Sequence, residues 1–167
     1  MALSASSLHS KAAAELIIQE IGRLTSTSDD LTPRSEAALR AVAKNGDLIA
    51  LYNDGILAGW GIRELLCPGV KEVGLMFIKP EFRSATAFAA LTDALGNDDS
   101  TLVIATYDPA LIRNLIAKHG FKTSTLAKVA WISRGRFITK RLSRETRQAV
   151  ASHTAKAKPL FAVRATR

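Results

Sequence analysis

EVGLMFIKPEFR, Glu72 to Arg83, is the stretch from which the rest of the chain can be read. After its first residue, Glu72 to Ile78 is almost continuously apolar, as a strand covered on both faces requires. Pro80 cannot donate to a strand ladder and ends the run. Glu81 to Leu95 then reads as a helix whose inward stripe is Phe88, Leu91 and Leu95. The order repeats at once. Thr101 to Thr106 (TLVIAT) is a second apolar run, and Asp108-Pro109 supplies an N-cap followed by proline at the first helical position. That helix sets Leu111, Ile112, Leu115 and Ile116 on one face and stops at Gly120. Strand, helix, strand, helix at this spacing predicts two parallel strands joined by a crossover.

Upstream, Asp47 to Tyr52 and Ile56 to Leu66 flank Asn53-Asp54-Gly55, and Asp-Gly is a strong signal for a tight hairpin. Two helices precede the hairpin. The first starts near Ser10 with Leu16, Ile17, Ile21 and Leu24 inward, and the second runs from Arg34 to Lys44 with Ala38, Leu39 and Val42 inward. Thr25 to Pro33 is the polar loop between them.

The order of elements and their punctuation resemble the GNAT acyltransferase superfamily over Leu16 to Ser133. The matching residues are the turn Pro80-Glu81-Phe82-Arg83 and the helix-terminal pair Gly120-Phe121. The resemblance implies an α/β fold with a mixed sheet, the GNAT-like acyl-CoA N-acyltransferase fold, in one domain over residues 1–133. It also implies acetyl-CoA as acyl donor, an unidentified amine as acceptor, and a cofactor site at Ile78, Arg83, Ser84, Ala85, Thr86 and Ala87. There the free N–H groups at the start of a helix would meet the pyrophosphate.

The chain departs from the family pattern at the chemistry. The small residues of the family's pyrophosphate loop fall on Thr86 and Phe88, and a phenylalanine there is expected to turn into the core. The tyrosine many members use as general acid falls on Ile116. The remaining catalytic candidates are Glu72, as base at the start of the central strand, and Tyr107, following the second strand. Each also has a plain structural reading, as a solvated strand-end carboxylate and an edge tyrosine. Arg83 at a helix start needs an anion beside it, either a bound phosphate or Glu81. His119, at the C-terminal end of a helix, is accounted for by the dipole.

Composition bounds these readings. At 167 residues and 47% hydrophobic, the chain can bury one sizeable core. No apolar run approaches the roughly 20 residues of a membrane span, and the start carries no charged-then-apolar leader, so a cytoplasmic protein is expected. The lone Cys67 cannot form an internal disulfide, and three scattered histidines argue against a metal site. Without a lysine-containing phosphate loop, a nucleoside triphosphatase is also improbable.

Charge divides the chain sharply. Residues 1–133 hold 13 Lys and Arg against 14 Asp and Glu, whereas 134–167 hold ten against one, so the net +8 comes from the tail. Residues 134–167 are therefore expected to form a basic C-terminal extension, with a helix of low hydrophobicity over Ser143 to Ala157. Arg134, Arg136, Lys140, Arg141, Arg144 and Arg147 are its candidate contacts to nucleic acid or an assembly partner, and a solvated tail is the plain alternative. Leu160, Phe161 and Val163 offer an apolar patch for docking on the domain or on a neighbour.

Two functions follow: an acetyltransferase, or a catalytically inactive GNAT-fold binding or structural protein. The second draws on a looser resemblance to degenerate bacteriophage members, some of them virion proteins, and would make the virion its location.

Overall fold

The computed structural model describes residues 3–7, 11–27, 34–142 and 158–165. The expected helix at Ser143 to Ala157, with Arg144 and Arg147, lies outside them. Seven strands form one mixed sheet in the order β1-β2-β3-β4-β5-β7-β6. They are β1 (Leu3–Ser7), β2 (Leu48–Asn53), β3 (Ile56–Cys67), β4 (Val70–Ile78), β5 (Thr101–Thr106), β6 (Lys122–Ser124) and β7 (Leu160–Arg164). The described residues fall into two compact units, and the chain of β3 and β4 passes from one into the other.

The first unit holds 3–7, 11–27, 34–64 and 73–98. Asp54 (φ 48°) and Gly55 (φ 80°) both lie in the left-handed region that the tight β2–β3 turn needs, as Asp-Gly predicted. β1, which the sequence reading missed, pairs antiparallel with β2 from Leu3↔Asn53 to Ser7↔Ile49. Its composition, LSASS, carries little strand signal, and pairing with β2 supplies what propensity does not.

Helix α1 (Lys11–Thr27) buries Ala14, Ile17, Ile18 and Ile21 and leaves Leu16 67% exposed, so its inward stripe is rotated from the one expected. In α2 (Glu36–Lys44) Ser35 caps the start and only Leu39 is fully buried, while Ala38 faces solvent. Arg63 is buried and ties three elements together. Its Nε donates to Asp47 Oδ1 at 2.9 Å, and its Nη1 reaches Asp98 Oδ2 at 3.2 Å and the Asn97 carbonyl at 3.2 Å.

The second unit holds 65–72, 99–142 and 158–165. β4 pairs parallel with β5 from Val70↔Thr101 to Glu72↔Val103, the pairing that the repeated strand-helix order predicted. Asp108 caps α4 (Pro109–Lys118) by accepting from the Ala110 amide at 2.7 Å. Gly120 (φ 71°) closes that helix, with the Phe121 amide returning to the Leu115 carbonyl at 3.3 Å.

Beyond the charge boundary at residue 134, the described residues contribute a helix and a strand to the second unit. β7 is inserted between β5 and β6 and pairs antiparallel with both, from Leu102↔Arg164 to Thr106↔Leu160 and from Lys122↔Val163 to Ser124↔Phe161. Helix α6 (Arg136–Arg141) follows α5 (Leu126–Ile132) and buries Phe137 completely. Phe137 packs with Val129, Val103, Leu66 and Val70, and Phe161 meets it edge-on at 5.9 Å. Successive residues of β7 point to opposite faces of the sheet: Ala162 is fully buried on one, and Phe161 and Val163 pack against the core cluster on the other.

Candidate functional site

The turn after β4 belongs to the first unit. Pro80–Phe82 is a single 3₁₀ turn, so the helix expected from Glu81 begins later, as α3 (Ala85–Gly96). Ser84 is its N-cap: the Ser84 Oγ accepts from the Ala87 amide at 3.0 Å, and the Phe88 amide donates to the Ser84 carbonyl at 3.0 Å. Among the described residues, the amides of Ala85 and Thr86 are left without a protein partner. Those two amides, exposed at the positive end of a twelve-residue helix, fit a phosphate oxygen.

Of the other expected cofactor residues, Ala87 is buried with Leu91 and Leu95 and forms the inward stripe in place of Phe88, which is only half-buried. Arg83 does not pair with Glu81. Its Nε donates to the carbonyl of Ile78, the last residue of β4, at 3.1 Å, which occupies that carbonyl and leaves the rest of the exposed guanidinium outward.

Glu72 belongs to the second unit and is not the solvated strand-end carboxylate that one reading expected. It is the third residue of β4 and 3% exposed. Its Oε2 accepts from Lys140 Nζ at 2.8 Å and its Oε1 from Arg141 Nη2 at 2.5 Å. Burial pushes the carboxyl up, but the charges of Lys140 and Arg141 and their hydrogen bonds outweigh that and hold it below the usual carboxylate range. A carboxylate so held, with both oxygens occupied, is a poor acceptor for a substrate proton. The same contact pairs Lys140 and Arg141, two of the expected partner-surface residues, with a buried carboxylate, and leaves each of them partly exposed. Arg141 also lies over the Phe137 ring, 3.5 Å from its centroid.

A signal for this group was present in the sequence. A single carboxylate in an otherwise apolar, doubly covered strand must find a cation, and the nearest dense supply of cations was the segment set aside as a tail.

Tyr107 follows β5 and is half-buried. Ile116 does not join the inward face of α4, which consists of Ile112 and Leu115, and is 38% exposed. His119 is buried at the C-cap of the same helix. Arg134 and Arg136 remain exposed at the α5–α6 turn, where Arg134 (φ 51°) and Gly135 (φ 77°) both take left-handed backbone. For a residue with a Cβ that conformation costs about 1–2 kcal/mol. Among the described residues, no three His, Cys, Asp or Glu side chains gather as a metal-binding set, and no helix is long and apolar enough to cross a membrane.

No family model matches the sequence, and neither does any curated protein. Solved structures do resemble it. N-acetylglutamate synthase from Neisseria gonorrhoeae, complexed with coenzyme A and N-acetyl-glutamate, superposes with a TM-score of 0.60 at 16% identity over 100% of this chain. The chain spans only 36% of that protein's length. Rv2747 from Mycobacterium tuberculosis, in complex with CoA, gives 0.61 at 15% identity, covering 90% of this chain and 94% of that one. A GNAT-family acetyltransferase from Bacillus cereus gives 0.60 at 10% identity, covering 100% and 99%. At these identities the likeness concerns architecture: the chain has the GNAT acyl-CoA N-acyltransferase fold.

Proposed function

We propose that this GNAT-fold chain binds an acyl-CoA, acetyl-CoA in the simplest case, and transfers its acyl group to an amine. The observation that carries the reading is the start of α3, where the unpartnered Ala85 and Thr86 amides follow the Pro80-Glu81-Phe82-Arg83 turn. The CoA bound in two of the similar structures supports it. In this reading those amides hold a pyrophosphate oxygen, and the outward part of the Arg83 guanidinium adds charge beside them. The amine nitrogen attacks the thioester carbonyl, a C–N bond forms as the C–S bond breaks, the nitrogen gives up one proton to water, and the thiolate takes one as it leaves. Tyr107 remains the other catalytic candidate, and Glu72, committed to Lys140 and Arg141, is not assigned the base role.

A second reading is favoured by specific departures. Ile116 stands where an acid is expected, Ser84 occupies the Ala87 amide, and Arg83 occupies the Ile78 carbonyl. The chain is then a non-catalytic binding or structural protein, such as a bacteriophage component, and exposed basic residues such as Arg134 and Arg136 meet its nucleic-acid or protein partner. Calorimetric titration of the purified protein with acetyl-CoA separates the two. Micromolar binding, weakened in Arg83→Ala, supports the transferase, and an acceptor screen follows. No heat at high micromolar acetyl-CoA rejects it and leaves the scaffold.

A further inference from the structure

The turn between β3 and β4 and the α5–α6 turn, both in the second unit, border an open, solvent-facing depression of about 570 Å³, a volume that can seat a small ligand. One wall is apolar, formed by Leu65, Leu66, Cys67 and Pro68. The other is cationic, formed by Arg134, Arg136 and Lys140, with Thr139 between them. No carboxylate lines the site among the described residues. Lys140 is paired with Glu72, which Arg141 also matches, so the wall keeps a surplus of positive charge. Arg134 and Arg136 are exposed, and neither has a carboxylate partner among the described residues.

We propose that this site binds a small phosphomonoester with an apolar body. Two guanidiniums at one turn suit the fork geometry with which arginine grips a phosphate, and the Leu65–Pro68 wall receives the carbon skeleton. Among the described residues no aromatic side chain lines the site for stacking a base, which favours a compact ligand over single-stranded nucleic acid. The site belongs to the second unit and the proposed acyl-CoA turn to the first.

The test is calorimetric titration of the full chain with phenyl phosphate, with inorganic phosphate and phenol in parallel. Phenyl phosphate should bind saturably and more tightly than either. The double variant Arg134→Gln/Arg136→Gln should lose at least tenfold and Arg134→Lys/Arg136→Lys severalfold, while Lys128→Gln, outside the site on α5, should bind as the parent does. Thermal unfolding of each variant establishes that it is folded. Absence of saturation overturns the proposal, as does a double variant that binds unchanged. So does competition between acetyl-CoA and phenyl phosphate, which would move the phosphate to the α3 turn. Arginine-dependent retention of an unphosphorylated oligonucleotide without phenyl phosphate binding would make the surface a nucleic-acid contact and equally overturn it.

Discussion

The Glu72 carboxylate accepts from the Arg141 guanidinium at 2.5 Å across a sequence separation of 69 residues, joining the third residue of β4 to the last residue of α6. Lys140 completes the group from the neighbouring position. A residue expected from the sequence to be a catalytic base is therefore held in a buried ion-pair group with the end of α6.

Glu72→Gln should destabilise the protein by about 3 kcal/mol, the low end for breaking a buried pair, because Lys140 and Arg141 are each more than a quarter exposed. Chemical denaturation measures it. A variant as stable as the parent would return Glu72 to the list of catalytic candidates.

The same group fixes a pH dependence. Its folded-state pKa lies below the unfolded value, so its stabilising contribution is complete above the unfolded carboxyl pKa of about 4.3 and is lost as pH falls through the folded one. Stability measured from pH 6 down to pH 2 should therefore fall in acid, and less steeply in Glu72→Gln. Equal slopes would contradict the assignment.

Truncation after Ser133 should abolish cooperative unfolding of the second unit, since it removes β7 and the buried Phe137 together. Phe137→Ala alone should cost about 3–5 kcal/mol. A soluble, cooperatively melting fragment ending at Ser133 would show that α6 and β7 are dispensable, as the charge boundary suggested.

Ser84→Ala removes the α3 cap, at about 1 kcal/mol, and releases the Ala87 amide. If the α3 start receives a phosphate, acetyl-CoA affinity should hold or rise in this variant although the melting temperature drops. Affinity falling more than threefold would mean that the hydroxyl itself contacts the ligand.

Gly59→Ala should cost about 1–3 kcal/mol, because a Cβ there would collide with the Phe77 carbonyl oxygen, and backbone cannot swing aside as a side-chain tip can. Denaturant midpoints test this. Gly59 is in β3 and Phe77 in β4, so an unperturbed variant would mean the strands stand further apart than described.

What could be read from the sequence was local. The Asp54-Gly55 turn, the Asp108-Pro109 helix start, the Gly120 stop and the parallel strands β4 and β5 each leave a signature within a few residues, and all are found. Phe88, Leu16 and Ile116 misled because a period of three and four fits two neighbouring faces of a short helix, and packing partners choose between them. β7 was hidden by composition: its five residues sit among so many cations that charge outweighed the alternation of Leu160, Ala162 and Arg164 with Phe161 and Val163. At the candidate site the turn after β4 was legible, but the side-chain commitments of Arg83, Ser84 and Glu72 depend on partners set by the fold.

The place of β7 also bears on how the protein fails. Among the described residues β6 pairs only with β7, and β5 has one flank on β4 and the other on β7, so the sheet is assembled out of chain order. Whenever β7 is undocked, Thr101–Thr106 becomes an open edge of six residues, rich in β-formers and bearing no charge, the kind of template on which another chain adds itself. Aggregation in this protein should start at β5, and the strand that guards it is the one that arrives from farthest along the chain.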